Sequence, residues 1–178
     1  MGPMVSVVLR RFNNLMPNDV KKILFVCLGN ICRSPAAEGV LRHMAKAEGH
    51  EHDVEIASNG LGDWHIGAFP DMRMLTAAHN RGIILSSRAK QFTLDDFDKY
   101  DYILAADKEI HHQLLRAAKT AAYKSKVQLI NDFSEIYKGQ DVPDPYYQGD
   151  FGFELVLDML EDSCKGLLKH LFKKNDKV

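Results

Sequence analysis

Along this chain the spacing of apolar residues changes period again and again. Ile23-Leu24-Phe25-Val26 is an unbroken apolar run, the pattern of a strand buried on both faces. From Ser34 the spacing turns helical. Ala37, Val40, Leu41, Met44 and Ala45 fall on one face of a helix predicted over 34–48, with Pro35 in its first turn and Glu38 close behind. The same alternation predicts a short strand over 54–57 and a helix over 71–80, with Asp71 as N-cap and Gly82 just past the end. One helical turn over 93–97 precedes a third strand over 102–106, which runs into Asp107. A helix over 108–118, a fourth strand over 127–130 and a closing helix over 151–172 complete the set. The last has Phe153, Val156, Leu157, Leu160, Leu167, Leu168 and Leu171 as its apolar face. Two stretches show no period and are expected as loops: the glycine-rich 58–67 and the long 131–149.

Strands that alternate with helices predict an α/β fold with a parallel sheet in three layers, helices on both faces and right-handed crossovers. Ligands in such sheets bind beyond the carboxyl ends of the strands, where the strand order reverses. Cys27 and Asp107 both follow such ends.

Composition narrows the class. The chain has 178 residues, 46% hydrophobic and 26% charged, which suits one domain with a sizeable core, expected over 21–178. Residues 1–20 are expected to be an N-terminal extension, with Met16 as an alternative start. Val5-Ser6-Val7-Val8-Leu9 is too short for a signal-peptide core, and Arg10 and Arg11 follow it rather than precede it. A formal charge of −1 gives no global reason to bind nucleic acid or an anionic membrane. No apolar run approaches the roughly 18 residues of a membrane span. Three cysteines favour a reducing, cytoplasmic setting and a reactive thiol over a disulfide framework. The eight histidines have no metal-like spacing against them, so neither metal nor cofactor is expected; His111-His112 reads as a solvated helix start.

The chemistry concentrates between the first strand and the first helix, in Cys27-Leu28-Gly29-Asn30-Ile31-Cys32-Arg33-Ser34. A loop entering a helix aims backbone N–H groups at one point, and the helix dipole adds partial positive charge. Gly29 is expected to let the backbone turn tightly, and Asn30 tolerates a left-handed conformation. Successive amides folded this way form a nest for a tetrahedral dianion. The same field favours thiolate over thiol at Cys27, and Arg33 closes the loop with a planar fork for two phosphate oxygens. A nucleophile beneath an oxyanion cradle is suited to attack phosphorus. Cys-x5-Arg alone arises often by chance; placed on a strand–loop–helix with Ser34 following, it is specific.

Val26 to Pro35 resembles the signature of the low-molecular-weight protein tyrosine phosphatases. The similarity continues through Ser58-Asn59-Gly60, Trp64-His65-Ile66-Gly67, Asp71-Met72-Arg73, Ser87-Arg88-Ala89-Lys90-Gln91 and Asp144-Pro145-Tyr146-Tyr147, from about Lys21 to about Leu171. The resemblance implies a four-stranded sheet in the order 2-1-3-4. It implies a phosphotyrosine-containing protein as substrate, a cysteinyl-phosphate intermediate on Cys27, and a monomer.

The departing phenolate has a conjugate acid of pKa about 10 and needs a proton as its bond breaks. Asp144, flanked by Pro143 and Pro145, is the candidate acid, and in the second step the base toward water. On spacing alone Asp144 reads equally as a turn carboxylate; the match to the family's Asp-Pro-Tyr-Tyr favours the acid. The resemblance further implies that Asn30, Ser34 and Ser58 support the loop and hydrogen-bond the thiolate, although Ser87 stands where many relatives carry a histidine. It implies that Cys32 closes a disulfide with an oxidised Cys27, against a plain reading as a small buried residue. Trp64 and Tyr146, with Tyr147 behind them, are expected as walls for a phenyl ring, although such aromatics are commonly core or loop anchors. Asp107 is expected as structural support and Cys164 as core packing.

Three other functions fit parts of the pattern. A protein arginine phosphatase of the same fold would carry threonine where Ile31 stands. A thioredoxin-coupled arsenate reductase would need cysteines between Cys32 and Cys164, where there are none. A phosphate-binding module without catalysis would have no use for Cys27, Arg33 and Asp144 together.

Overall fold

In the computed structural model, which describes residues 19–173, four parallel strands stand side by side. They are β1 (Lys21–Cys27), β2 (Val54–Gly60), β3 (Tyr102–Ala105) and β4 (Val127–Leu129), in the order β2-β1-β3-β4. The helices are α1 (Arg33–Ala47), α2 (Met72–Asn80), α3 (Asp96–Lys99), α4 (Lys108–Ala117), α5 (Ala121–Lys126) and α6 (Gly149–Phe172), with a 3₁₀ turn at Ile130–Phe133.

The apolar run of β1 divides by the two-residue period of a strand. Ile23, Phe25 and Cys27 pack into one core with Val40 and Leu41 of α1, Met74 of α2 and Phe153, Leu157 and Leu160 of α6. Leu24 and Val26 face the opposite way, into a second core with Phe97, Ile103, Ile110 and Leu114. A strand with helices on both sides has no solvated face, which is why its sequence is continuously apolar. The strand order reverses between β1 and β3, so Cys27 and the residues after Ala105 share one crevice at the carboxyl edge.

Several boundaries differ from expectation, each for a visible reason. β2 continues to Gly60, pairing Phe25 with Ser58 and Cys27 with Gly60, so Ser58 lies on a strand and not in a loop. Its apolar signal stops at Ala57 because Ser58 and Asn59 are buried polar residues. α5 had no apolar signature because none of its residues is buried. Thr120 caps it by accepting from the Tyr123 amide, and the Tyr123 ring stacks on Phe97. The stretch 131–149 opens with the 3₁₀ turn and closes in α6, leaving 134–148 as the irregular part. The expected extension over 1–20 lies almost wholly outside the described residues, as do Val5–Leu9 and Met16; only Asp19 and Val20 of it precede β1. Among the described residues no helix is long and apolar enough to cross a membrane.

Candidate functional site

Cys27 is the last residue of β1 and is buried. The chain after it turns back on itself and is held by the following segment, where the amides of Leu61 and Gly62 donate to the carbonyls of Cys27 and Leu28. Asn30 takes the left-handed conformation, with φ of 55°, and its amide points at Cys27 Sγ from 3.3 Å. Gly29 does not supply a positive φ, contrary to the tight-turn role expected for it. A Cβ there would lie 3.0 Å from His65 Cδ2, a tight contact with a side chain that would have to give slightly. Gly60 is constrained more strictly. A Cβ on it would stand 2.9 Å from the Leu28 carbonyl oxygen and 3.0 Å from the Asn30 nitrogen, both of them backbone that cannot swing away.

A directed set of hydrogen bonds surrounds the sulfur. Cys27 Sγ is 2.9 Å from Ser34 Oγ. The Asn30 side-chain nitrogen donates to Ser34 Oγ at 2.7 Å and to Ser58 Oγ at 3.0 Å, while Asn30 Oδ1 accepts from the Lys90 amide. The Ser58 hydroxyl donates to Glu38 Oε2 at 2.6 Å, and Arg42 donates to Glu38 Oε1 at 2.6 Å. A carboxylate only accepts, so the Ser58 proton is committed to Glu38. Ser58 and Ser34 therefore both accept from Asn30, and the Ser34 proton is left for the sulfur, its other acceptor being the Asn59 carbonyl at 3.4 Å. Ser87 takes no part; the outer end is the Glu38–Arg42 pair.

Arg33 opens α1 and is buried. Its Nη1 donates to Asp107 Oδ2 at 2.6 Å and to the Val142 carbonyl at 3.1 Å, and its Nη2 lies 3.7 Å from Asp144 Oδ2. Burial works against its charge, but the Cys27 sulfur, Asp107 and Asp144 outweigh that and raise its pKa above the ordinary arginine value. Asp107 has a second task, capping α4 by accepting from the Ile110 amide at 2.8 Å.

A pocket opens above the sulfur. It is lined by Cys27, Leu28, Gly29, Ile31, Cys32 and Arg33 together with Trp64, His65, Asp144, Tyr146 and Tyr147. Asp144 is half exposed, with Oδ1 accepting from the Tyr146 amide at 3.1 Å. Arg73, at the start of α2, lies over the Tyr146 ring and donates to its carbonyl. Tyr147 also lines the pocket, although it is 91% exposed, and its ring packs edge-on against Tyr146. Cys32 lines the pocket and is otherwise buried. That burial, with the Asp71 carboxylate nearby, pushes its thiol up to about 12. Cys164 is buried in the core on α6, and burial raises its thiol as well. Cys27, Cys32 and Cys164 are all free. Among the described residues no group of three or more His, Cys, Asp or Glu side chains is placed to hold a metal ion.

Of the residues singled out from sequence, Cys27, Leu28, Gly29, Ile31, Cys32, Arg33, Trp64, Asp144, Tyr146 and Tyr147 line the pocket. Asn30, Ser34, Ser58 and Asp107 are hydrogen-bonded to Cys27 or Arg33 directly or through Asn30, and Cys164 lies apart in the core. Glu38, Arg42, Gly60, Arg73 and the Val142 carbonyl were missed. Glu38 carried a signal: it and Arg42 are an i,i+4 acid–base pair next to the apolar face of α1. The Val142 carbonyl carried none, since a backbone acceptor leaves no mark in sequence.

Fold and site together define an α/β oxyanion-binding domain with a thiol at the base of its cradle. A family model described as low molecular weight phosphotyrosine protein phosphatase matches residues 22–177. The chain is 40% identical over 149 residues to a low molecular weight protein-tyrosine-phosphatase of Streptomyces coelicolor, covering 83% of this chain and 91% of that one. A crystal structure of a protein tyrosine phosphatase from Entamoeba histolytica, with Hepes in its active site, superposes with a TM-score of 0.82. It is 39% identical, and the match covers 85% of this chain and 96% of the other. A Drosophila arginine phosphatase also superposes, with a TM-score of 0.76 at 31% identity, covering 87% and 99%. The chain belongs to the low molecular weight phosphotyrosine protein phosphatase family.

Proposed function

We propose that this protein hydrolyses phosphotyrosine in protein substrates through a cysteinyl-phosphate intermediate. One observation carries the reading: Cys27 Sγ sits within reach of the Asn30 amide and the Ser34 hydroxyl, at the base of a pocket that also holds Arg33 and Asp144. In the first step the Cys27 thiolate attacks phosphorus, the S–P bond forms, and the bond to the phenol oxygen breaks as Asp144 gives that oxygen its proton. In the second step Asp144, now ionised, takes a proton from water. The water oxygen bonds phosphorus, and the thiolate leaves toward the Ser34 hydroxyl. Arg33 and the loop amides carry the charge of the equatorial oxygens throughout, so no step calls on a metal.

Trp64 and Tyr146 line the pocket and offer aromatic surfaces to a phenyl ring, and Ile31 lines it where an arginine phosphatase of this fold would carry threonine. Both features favour phosphotyrosine. The catalytic unit spans 21–178 and acts as a cytoplasmic monomer on protein substrates, without nucleic acid or membrane as partner. The test compares turnover of a phosphotyrosine peptide and of phosphoarginine by the full chain, with Cys27→Ser as control. Phosphotyrosine is expected to be cleaved with the larger kcat/KM and the control to be inactive. A preference for phosphoarginine, or activity that survives loss of the sulfur, overturns the reading.

A further inference from the structure

The residues between the 3₁₀ turn and α6 form no ladder with the sheet, yet they carry Asp144 to the pocket. Beside the bonds of Ser134 and Ile136 to Asp162 and of Arg73 to the Tyr146 carbonyl, three consecutive residues just ahead of Asp144 tie this loop down. The Gln140 carbonyl accepts from Asn131 Nδ2 at 2.9 Å. The Asp141 carboxylate accepts from the Lys108 amide at 3.0 Å. The Val142 amide donates to the Ala106 carbonyl at 2.9 Å, while its own carbonyl accepts from Arg33. Of these three ties, the first alone is made by an uncharged side chain that is fully buried: Asn131 is 1% exposed. Its amide is oriented from the other end, because Asn131 Oδ1 accepts from Ser163 Oγ on α6 at 2.8 Å, and Ser163 is equally buried.

A buried amide is costly unless both ends are paired, and an apolar residue of similar size would fill the space without that demand. Both ends of Asn131 are paired, one to a rigid helix and the other to the stem of the loop. We propose that Asn131, oriented by Ser163, is a positioning residue that sets the reach of Asp144 into the pocket. This rests on the reading of Asp144 as acid and base. The clamp acts four residues ahead of that carboxyl, with Val142 and Pro143 stiffening what lies between and Pro145 following it. Its loss should let Asp144 drift while Cys27 keeps its bonds to Asn30 and Ser34 and Arg33 keeps its bond to Asp107.

The experiment measures kcat/KM for aryl phosphates whose phenols range in pKa from about 7 to about 10. The proteins are the full chain, Asn131→Leu, Ser163→Ala, Asp144→Asn and the double variant Asn131→Leu/Asp144→Asn, with thermal melts alongside. Asn131→Leu is expected to lose on the order of tenfold on the poorest leaving group and about twofold or less on the best. Ser163→Ala should shift the same way by less. The double variant should fall no lower than Asp144→Asn alone, because a carboxyl that no longer gives a proton cannot be misplaced. A steep leaving-group dependence in Asp144→Asn with a flat one in folded Asn131→Leu overturns the clamp alone. A flat profile in Asp144→Asn overturns the reading of Asp144 and the clamp with it. Should Asn131→Leu fail to fold, Ser163→Ala decides by the same slope, and a flat profile there overturns the clamp.

Discussion

The two loops that meet at the pocket are built on opposite plans. In the cradle after β1, Cys27, Asn30, Arg33 and Ser34 are all buried, and Asn30 alone joins the sulfur, two serines and the Lys90 amide. The loop over 134–148 leaves Asp144 half exposed; it is tied near its start to Asp162, at 140–142, and at the Tyr146 carbonyl, with a local turn around Asp144 itself. The difference follows from what each loop has to do. A dianion binds most tightly to donors that are already aimed, so reorganisation of the cradle would cost rate. A group that gives a proton to a leaving oxygen and takes one from water must face the solvent side of the pocket. Preorganisation is concentrated where charge is held, and access is left where protons move.

That contrast makes separable predictions, the largest at the cradle. Arg33→Lys keeps the charge but loses the fork that reaches Asp107 and Val142 while facing the pocket. Its kcat/KM on aryl phosphates is expected to fall by about 10³, the upper range for losing one oxyanion donor. The fall should be nearly the same for good and poor leaving groups, since the equatorial oxygens are common to all of them. Asp144→Asn should cost about 10² on phenyl phosphate and much less on an ester whose phenol needs no proton. A steady-state series read as log(kcat/KM) against leaving-group pKa checks both: a displaced parallel line for Arg33→Lys, a steeper line for Asp144→Asn. Exchanged slopes would mean that the division between a charge-holding loop and a proton-moving loop is wrong.

The same contrast explains what could be read from the chain before its fold was known. The β1–cradle–α1 unit is local. Its apolar run, its left-handed Asn30 and its entry into a helix lie within about fifteen residues, so period and turn chemistry suffice. Four parallel strands followed from alternation alone, but their order rested on family resemblance. The position of Asp144 is not local. It depends on Arg33 bonding the Val142 carbonyl 109 residues away and on the Val142 amide reaching Ala106. No periodicity encodes such contacts, and on spacing alone Asp144 was no better than a turn residue. Ser58 was misplaced into a loop, and Glu38 passed over, because polar residues buried within regular elements break the hydrophobic period that marks those elements.

The smallest effect tests whether the cradle is as closed as the core. Cys32 lies in the cradle and Cys164 in α6, and in both burial raises the thiol pKa, for Cys32 to about 12. An unfolded chain releases such protons near pH 8.5. Between that pH and the folded pKa, the unfolded state binds fewer protons than the native one, so stability is fully present below about pH 8.5 and is lost as pH rises. Each thiol that stays protonated in the folded state contributes a loss of about 1.4 kcal/mol per pH unit once the unfolded thiol has titrated. Urea unfolding between pH 9 and pH 10.5 should therefore show a shallower decline in Cys164→Ala than in the parent chain. Cys32→Ala should flatten the decline to the same degree, because burial keeps both thiols protonated in the folded chain over this range. If only the core variant flattens it, the cradle admits solvent on the unfolding timescale. The contrast between a closed charge-holding loop and an open proton-moving one would then reduce to a difference in hydrogen bonding alone.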